Sequence, residues 1–277
     1  MKDGGIVVNG IDYSALITNL FLAVIPSVLL CIYVYKMDSV EKEPTSMLFT
    51  LFFCGVLITI PAAYVEKTLI EFTGLTSQDY LGSFLLSFLI IALIEEGYKY
   101  LILWIGTWKS KSFDHKYDAI VYAVFISLGF ATLENILYVY DNMNKAVEVA
   151  GGIIQNSQDN AFRVAILRAL ISVPAHAFYA VASGYFLGHA KQYSHHNRRG
   201  KVILFVFLSI FVPILLHGTF DFLLLLDNNI ILGIFFSFVA LLYMVSYCSI
   251  KKVSKTEMIR DSVDTRIEVN DEANVWK

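Results

Sequence analysis

The chain has 277 residues, 57% of them hydrophobic and 16% charged, with a net charge of −3 and a mean hydropathy of +0.62. This composition excludes an ordinary soluble domain, and the charge offers no basic surface for nucleic acid. The apolar residues run in long blocks rather than in amphipathic stripes, the pattern of an all-α polytopic membrane protein.

Taken in chain order, the first apolar block covers residues 14–35. It exceeds a signal-peptide core and no A-x-A cleavage site follows, so it is expected to remain as an anchor. Six further spans follow at 46–65, 81–106, 117–140, 161–188, 201–225 and 230–250. Each provides the ~20 residues a transmembrane helix needs. Lysine and arginine alternate between the connecting segments. Lys36, Lys42, Lys109, Lys111, Lys116, Lys191, Arg198, Arg199, Lys201, Lys251, Lys252 and Lys255 fall on one side, against Lys2, Lys67 and Lys145 on the other. The positive-inside rule predicts the N-terminus outside and the C-terminus in the cytoplasm. Residues 1–250 read as one helical bundle with its functional core in 80–225, and 251–277 as a charged cytoplasmic tail. Segment 141–160 is the longest expected outer loop. Cys31, Cys54 and Cys248 lie far apart without C-x-x-C spacing and read as buried thiols.

Ionisable residues inside spans are costly and mark partners or wet cavities. They are Glu95, Glu96 and Lys99 in span 3, Glu134 in span 4, Arg168 and His176 in span 5, and His217 and Asp221 in span 6. Spans 1, 2 and 7 have none, so helices 3–6 are expected to build one shared site. At about 1.5 Å of rise per residue, Glu95 and His176 lie roughly 20 Å below the outer face. Glu134, Arg168 and His217 lie roughly 10–14 Å down. Glu95 and Glu96 project about 100° apart, so one is expected to face the cavity while the other pairs with Lys99 or with a neighbouring helix. Lys99 either makes that pair or snorkels to the cytoplasmic face. His217 and Asp221 are one turn apart, so Asp221 either orients the imidazole or shares an ion with it. A structural Glu134–Arg168 pair is expected from their common depth. Pro174 and Pro213 sit close before the two histidines and are expected to bend their helices. Gly184 and Gly188 form a small-xxx-small pair suited to close helix packing. His189, His195 and His196 read as a solvated basic face.

The runs EEGYK (Glu95 to Lys99), GFATLENILYV in span 4, VPAHAFYAVASGYFLG in span 5 and HGTFD in span 6 resemble the PrsW family of bacterial intramembrane proteases, in family order across residues 80–225. The wider superfamily, with the CAAX prenyl endopeptidases, carries E-E-x-x-x-R, a lone His and H-x-x-x-N/D. Here Lys99 stands one residue nearer than that Arg. The resemblance implies a membrane-embedded endopeptidase in the cell membrane that cuts a single-pass substrate such as an anti-sigma factor on the extracytoplasmic side. It implies Glu95, Glu96, His176, His217 and Asp221 as catalytic residues, supported by Lys99, Glu134 and Arg168.

Two mechanisms follow from it. In the metalloprotease version His176, His217 and Glu95 hold Zn²⁺. In the CAAX-type version Glu95 and His176 activate water without metal, and His217 and Asp221 stabilise the oxyanion. There is no H-E-x-x-H, no G-x-G-D and no serine–histidine signature. The rival from another class is a cation- or proton-coupled transporter with a midplane acidic site, although no paired broken helices occur in matching halves.

Overall fold

The computed structural model describes residues 7–8, 11–38, 41–143, 147–149, 153–155, 157–226 and 228–254. Its helices are α1 (Tyr13–Met37), α2 (Thr45–Thr73), α3 (Tyr80–Leu85), α4 (Leu93–Thr107), α5 (Lys116–Met143), α6 (Ser157–Leu167), α7 (Val173–His195), α8 (Arg199–Leu225) and α9 (Asn229–Val253). A π-helical segment, Leu86–Ala92, joins α3 to α4, and another, Arg168–Ser172, joins α6 to α7. Seven helical spans result that are long and apolar enough to cross a membrane, as the hydropathy predicts. Two short antiparallel pairs were not foreseen: β1 (Val7–Val8) with β2 (Ile11–Asp12), and β3 (Val147–Val149) with β4 (Ile153–Gln155). The second folds the longest loop back on itself. The tail lies outside the described residues from position 255.

The second span is longer than its hydropathy suggests. Glu66 and Lys67 end the apolar run, but the helix continues to Thr73 and stops at Gly74, whose φ of 65° and N–H bond to Ile70 O form a left-handed cap. Glu66 is therefore part of a spanning helix, which corrects the expectation that spans 1, 2 and 7 carry no interior charge.

Helix α5 is the axis of the bundle. Ala119, Ile120, Val121, Tyr122, Val124 and Ile126 are all buried, the mark of a helix surrounded on every side. It packs with α1, α2, α4, α7 and α9 in one apolar cluster that includes Val34, Leu51, Leu103, Val181 and Ile250. The outer helices turn Phe49, Phe53, Leu57, Ile203 and Met244 outward, as lipid-facing surfaces do. Cys248 is on such a face: Cys31 is buried, Cys54 half-buried and Cys248 exposed, all three as free thiols, so the expectation of three buried thiols fails on α9.

Helices α5 and α7 approach closely at the glycine pair. A Cβ on Gly184 would sit 2.5 Å from Ala119 O, and one on Gly188 would sit 2.5 Å from Lys116 O. This lets α7 lie directly against α5. Pro174 has no N–H for Leu170 O, its partner in a regular helix. The Tyr243 hydroxyl of α9 donates to that carbonyl instead, at 2.6 Å.

Gly184→Ala is expected to lower stability by about 1–3 kcal/mol, because the new methyl meets backbone rather than a movable side chain. Gly233→Ala, with nothing within 4 Å of its added Cβ, is expected to be neutral or mildly stabilising. Thermal unfolding of the two variants in detergent checks the contrast.

Candidate active site

The site begins on α4, at the third residue of the regular helix that follows the π-helical segment. A π turn carries more residues than an α turn and so re-aims what comes after it. Glu95, Glu96 and Lys99 follow at once, each about 5% exposed. Lys99 does not snorkel. Its Nζ donates to Glu95 Oε2 at 2.9 Å and to Glu96 Oε1 at 2.8 Å. It also lies 3.2 Å from His176 Nδ1 and 4.2 Å from the centre of the Phe130 ring. Both glutamates therefore reach the same ammonium, at i+4 and i+3, instead of dividing as their 100° offset suggests.

Three donors are available on an ammonium, and Lys99 directs them at two carboxylates and one ring nitrogen. With Lys99 charged, His176 Nδ1 accepts and the proton of a neutral ring is on Nε2. That nitrogen lies 2.9 Å from Glu134 Oε2. Glu134 is in turn held by Arg168, whose Nη2 is 3.0 Å from Glu134 Oε1 and whose Nε donates to Asn135 Oδ1 at 2.6 Å. The expected Glu134–Arg168 pair thus forms, and it also orients His176. Ser127 Oγ donates to His176 O at 2.9 Å.

His217 arrives from α8. Its Nδ1 is 2.9 Å from Glu96 Oε1 and 4.0 Å from Glu95 Oε2, and its Nε2 is 3.3 Å from Asp221 Oδ2. Asp221 therefore orients the imidazole, as the one-turn spacing suggests. Tyr179 stacks on the ring with centroids 4.8 Å apart and planes 17° apart. The two imidazoles stand 5.5 Å apart, centre to centre.

All eight residues singled out in the sequence converge here. Glu66 joins them from α2. One of its oxygens is buried without a hydrogen-bond partner, and the side chain lies within electrostatic reach of Glu95, Glu134, Lys99 and His217. Ser127, Phe130, Asn135 and Tyr179 were also not anticipated, and only Asn135, a polar residue in an apolar span, gave any signal. A cavity of about 10 Å³, lined by Glu96, Lys99, Ser127, Ser183, Ser209 and Pro213, adjoins the ammonium. That volume holds about one water molecule.

Two groups have ligand atoms within 4.8 Å of one another: Glu95, Glu96 and His217, and Glu95, Glu134 and His176. Glu95 belongs to both, and each histidine to one.

The sequence profile of the family described as "PrsW family intramembrane metalloprotease" matches residues 43–250. "Protease PrsW" of Bacillus subtilis (strain 168) is 37% identical over 204 residues, covering 74% of this chain and 81% of that protein. "Protease PrsW" of Clostridioides difficile (strain 630) is 31% identical over 231 residues, covering 83% and 89%. "Protease PrsW" of Geobacillus kaustophilus (strain HTA426) is 35% identical over 202 residues, covering 73% and 77%. No solved structure matches the chain. The likeness extends over most of both partners' length and takes in every residue of the polar centre, so the chain belongs to the PrsW family and is a multi-pass membrane protease.

Proposed function

We propose that the chain hydrolyses a peptide bond in a single-pass membrane protein, an anti-sigma factor or a similar small protein, and so releases a stress or envelope response. The setting is a bacterial cell membrane, with the N-terminus outside, the tail in the cytoplasm and the cut on the extracytoplasmic side. Residues 1–250 act as one unit in this reading. The observation that carries it is the convergence of two carboxylates and one imidazole on one buried ammonium, with a second imidazole on Glu96, from three spans.

Glu95 is the general base. It spends only Oε2 on Lys99, whereas Glu96 Oε1 serves both Lys99 and His217. Glu95 also lies between the two histidine groups. It takes a proton from the attacking water and passes it to the leaving amine, while His176 helps position that water. His217, steadied by Asp221 and by the Tyr179 stack, faces the developing oxyanion. Lys99 bridges the two adjacent carboxylates and holds them side by side.

The residues fit a metal ion poorly as they stand. Lys99 Nζ fills the space among Glu95, Glu96 and His176, and every ring nitrogen of His176 and His217 already faces a protein partner. The first reading is therefore glutamate-activated water with Lys99 as the resident cation. The second, favoured by the family's description and by the two ligand groups, is a Zn²⁺ enzyme in which Lys99 withdraws. The ion would supply a bound water of pKa near ~7.

Co-expression with a candidate single-pass substrate, with fragments sized on gels, tests the reaction. Glu95→Gln is expected to fold normally and to lose cleavage by ~10²–10⁴-fold. Normal cleavage by Glu95→Gln alongside a stable but inactive Glu96→Gln would reverse the two roles.

Lys99→Met leaves two buried carboxylates without their counter-ion and is expected to cost about 3–5 kcal/mol. Adding Glu96→Gln is expected to recover part of the melting temperature but no cleavage.

Purified protein is expected to cleave after chelation and to contain no stoichiometric zinc. Bound zinc that disappears in a His176→Ala/His217→Ala variant would instead establish the second reading.

A further inference from the structure

The ring of Tyr179 stacks on His217 and stands at 65° to His176, with centroids 4.8 and 6.0 Å away. The residue is 1% exposed, and its hydroxyl is buried without a hydrogen-bond partner among the described residues. Such a group is costly to bury and is rare in folded proteins. Three other tyrosine hydroxyls in the bundle have acceptors. Tyr117 donates to Val34 O at 3.0 Å, Tyr122 to Ser112 O at 3.0 Å and Tyr243 to Leu170 O at 2.6 Å. Tyr100 lacks one as well, but it lines the cavity of about 10 Å³, which has room for a water molecule. Tyr179 is not among the residues lining that cavity.

Peptide hydrolysis places negative charge on the scissile carbonyl oxygen, and that oxygen needs a donor aimed at it. The other donors of the centre are committed. Lys99 serves Glu95, Glu96 and His176, and Arg168 serves Glu134 and Asn135. His217 directs Nδ1 at Glu96 and Nε2 at Asp221, and His176 directs Nε2 at Glu134. Tyr179 packs against both imidazoles with its O–H free. It follows His176 by three residues on α7, and helical side chains lean toward the helix N-terminus, so the phenol extends alongside His176. Asp221, Glu96, Glu95 and Glu134 all lie within electrostatic reach of it. Glu95 and His217 are themselves only 5% and 4% exposed. A peptide that enters far enough to meet them also meets the ring stacked on His217.

We propose that Tyr179 is a further catalytic residue, whose hydroxyl donates a hydrogen bond to the oxyanion of the tetrahedral intermediate. The inference rests on the peptidase reading of the site. Water attacks the carbonyl carbon, Glu95 takes its proton, and the C=O electron pair moves onto the oxygen. Tyr179 donates to that oxygen and keeps its own proton throughout. The carbonyl then re-forms, and the amine leaves with the proton from Glu95. A hydroxyl left unsatisfied at rest and satisfied as charge develops favours the transition state over the bound substrate.

The test uses full-length protein in detergent with a single-pass substrate that the wild type cuts, and compares Tyr179→Phe with Glu95→Gln. Tyr179→Phe removes one oxygen and keeps the stack. It is expected to lower kcat by about 10²-fold with KM nearly unchanged. Its melting temperature is expected to stay the same or rise, since no bonded partner is lost. The proposal is overturned if Tyr179→Phe cleaves at the wild-type rate while Glu95→Gln is inactive, which would mean that the oxyanion has another donor. It is overturned equally if the loss lies in KM alone, the mark of ground-state binding, or if the melting temperature falls, the mark of a structural hydroxyl. Wild-type cleavage by Glu95→Gln would instead remove the peptidase centre itself, and the inference with it.

Discussion

Everything at the centre of this bundle depends on one buried ammonium. Two adjacent carboxylates in a medium of low dielectric repel each other and lose their hydration, a cost that no apolar packing offsets. Lys99 makes their burial possible because one turn of α4 brings its three donors within reach of both glutamates and of His176. The Phe130 ring covers the remaining side of the charge, which a cation tolerates better than bare hydrocarbon. A longer arginine fork would not occupy the same point, since its donors lie in a plane rather than around one atom.

Around that charge the structure repeats a single device: each imidazole is gripped by a carboxylate on its far side. Glu134 holds His176 and is itself held by Arg168, which Asn135 holds in turn, while Asp221 holds His217 from the next turn of the same helix. Ring orientation is thus set by groups that need not touch a substrate. Such chains of polar contacts have to be complete, because a missing member leaves a buried charge exposed to its neighbours. Close packing at Gly184 and Gly188 contributes by keeping α7 against α5, the two helices that carry His176 and Glu134.

Much of this was legible in the chain. Seven apolar blocks gave the spans, and the cost of intramembrane charge singled out the eight polar residues that meet. Glu66 escaped because hydropathy falls at Glu66-Lys67, whereas the helix is ended by the backbone at Gly74. The double use of Lys99 escaped because projecting two side chains from an ideal helix ignores their length: a lysine reaches i−3 and i−4 alike. Tyr179 and Phe130 read as ordinary core aromatics, since stacking on an imidazole or an ammonium leaves no periodic trace. The π-helical segments, which lie beside the polar centre, could not be read from composition, because Leu86–Ala92 is as apolar as any regular helix.

Those segments have a consequence for how such a site can change over generations. A helix that takes in an extra residue and then resumes turns everything after it by about 100° relative to an uninterrupted one. Glu95 and Glu96 follow Leu86–Ala92 directly, and His176 follows Arg168–Ser172. The register of these groups is therefore carried by insertions in two largely apolar stretches, the second of which begins with Arg168. Loss of a single codon in either stretch would leave hydropathy, length and topology nearly untouched, yet it would swing the carboxylates or the imidazole out of the centre. For this architecture, a gap in an apolar segment is as consequential as a substitution at a glutamate.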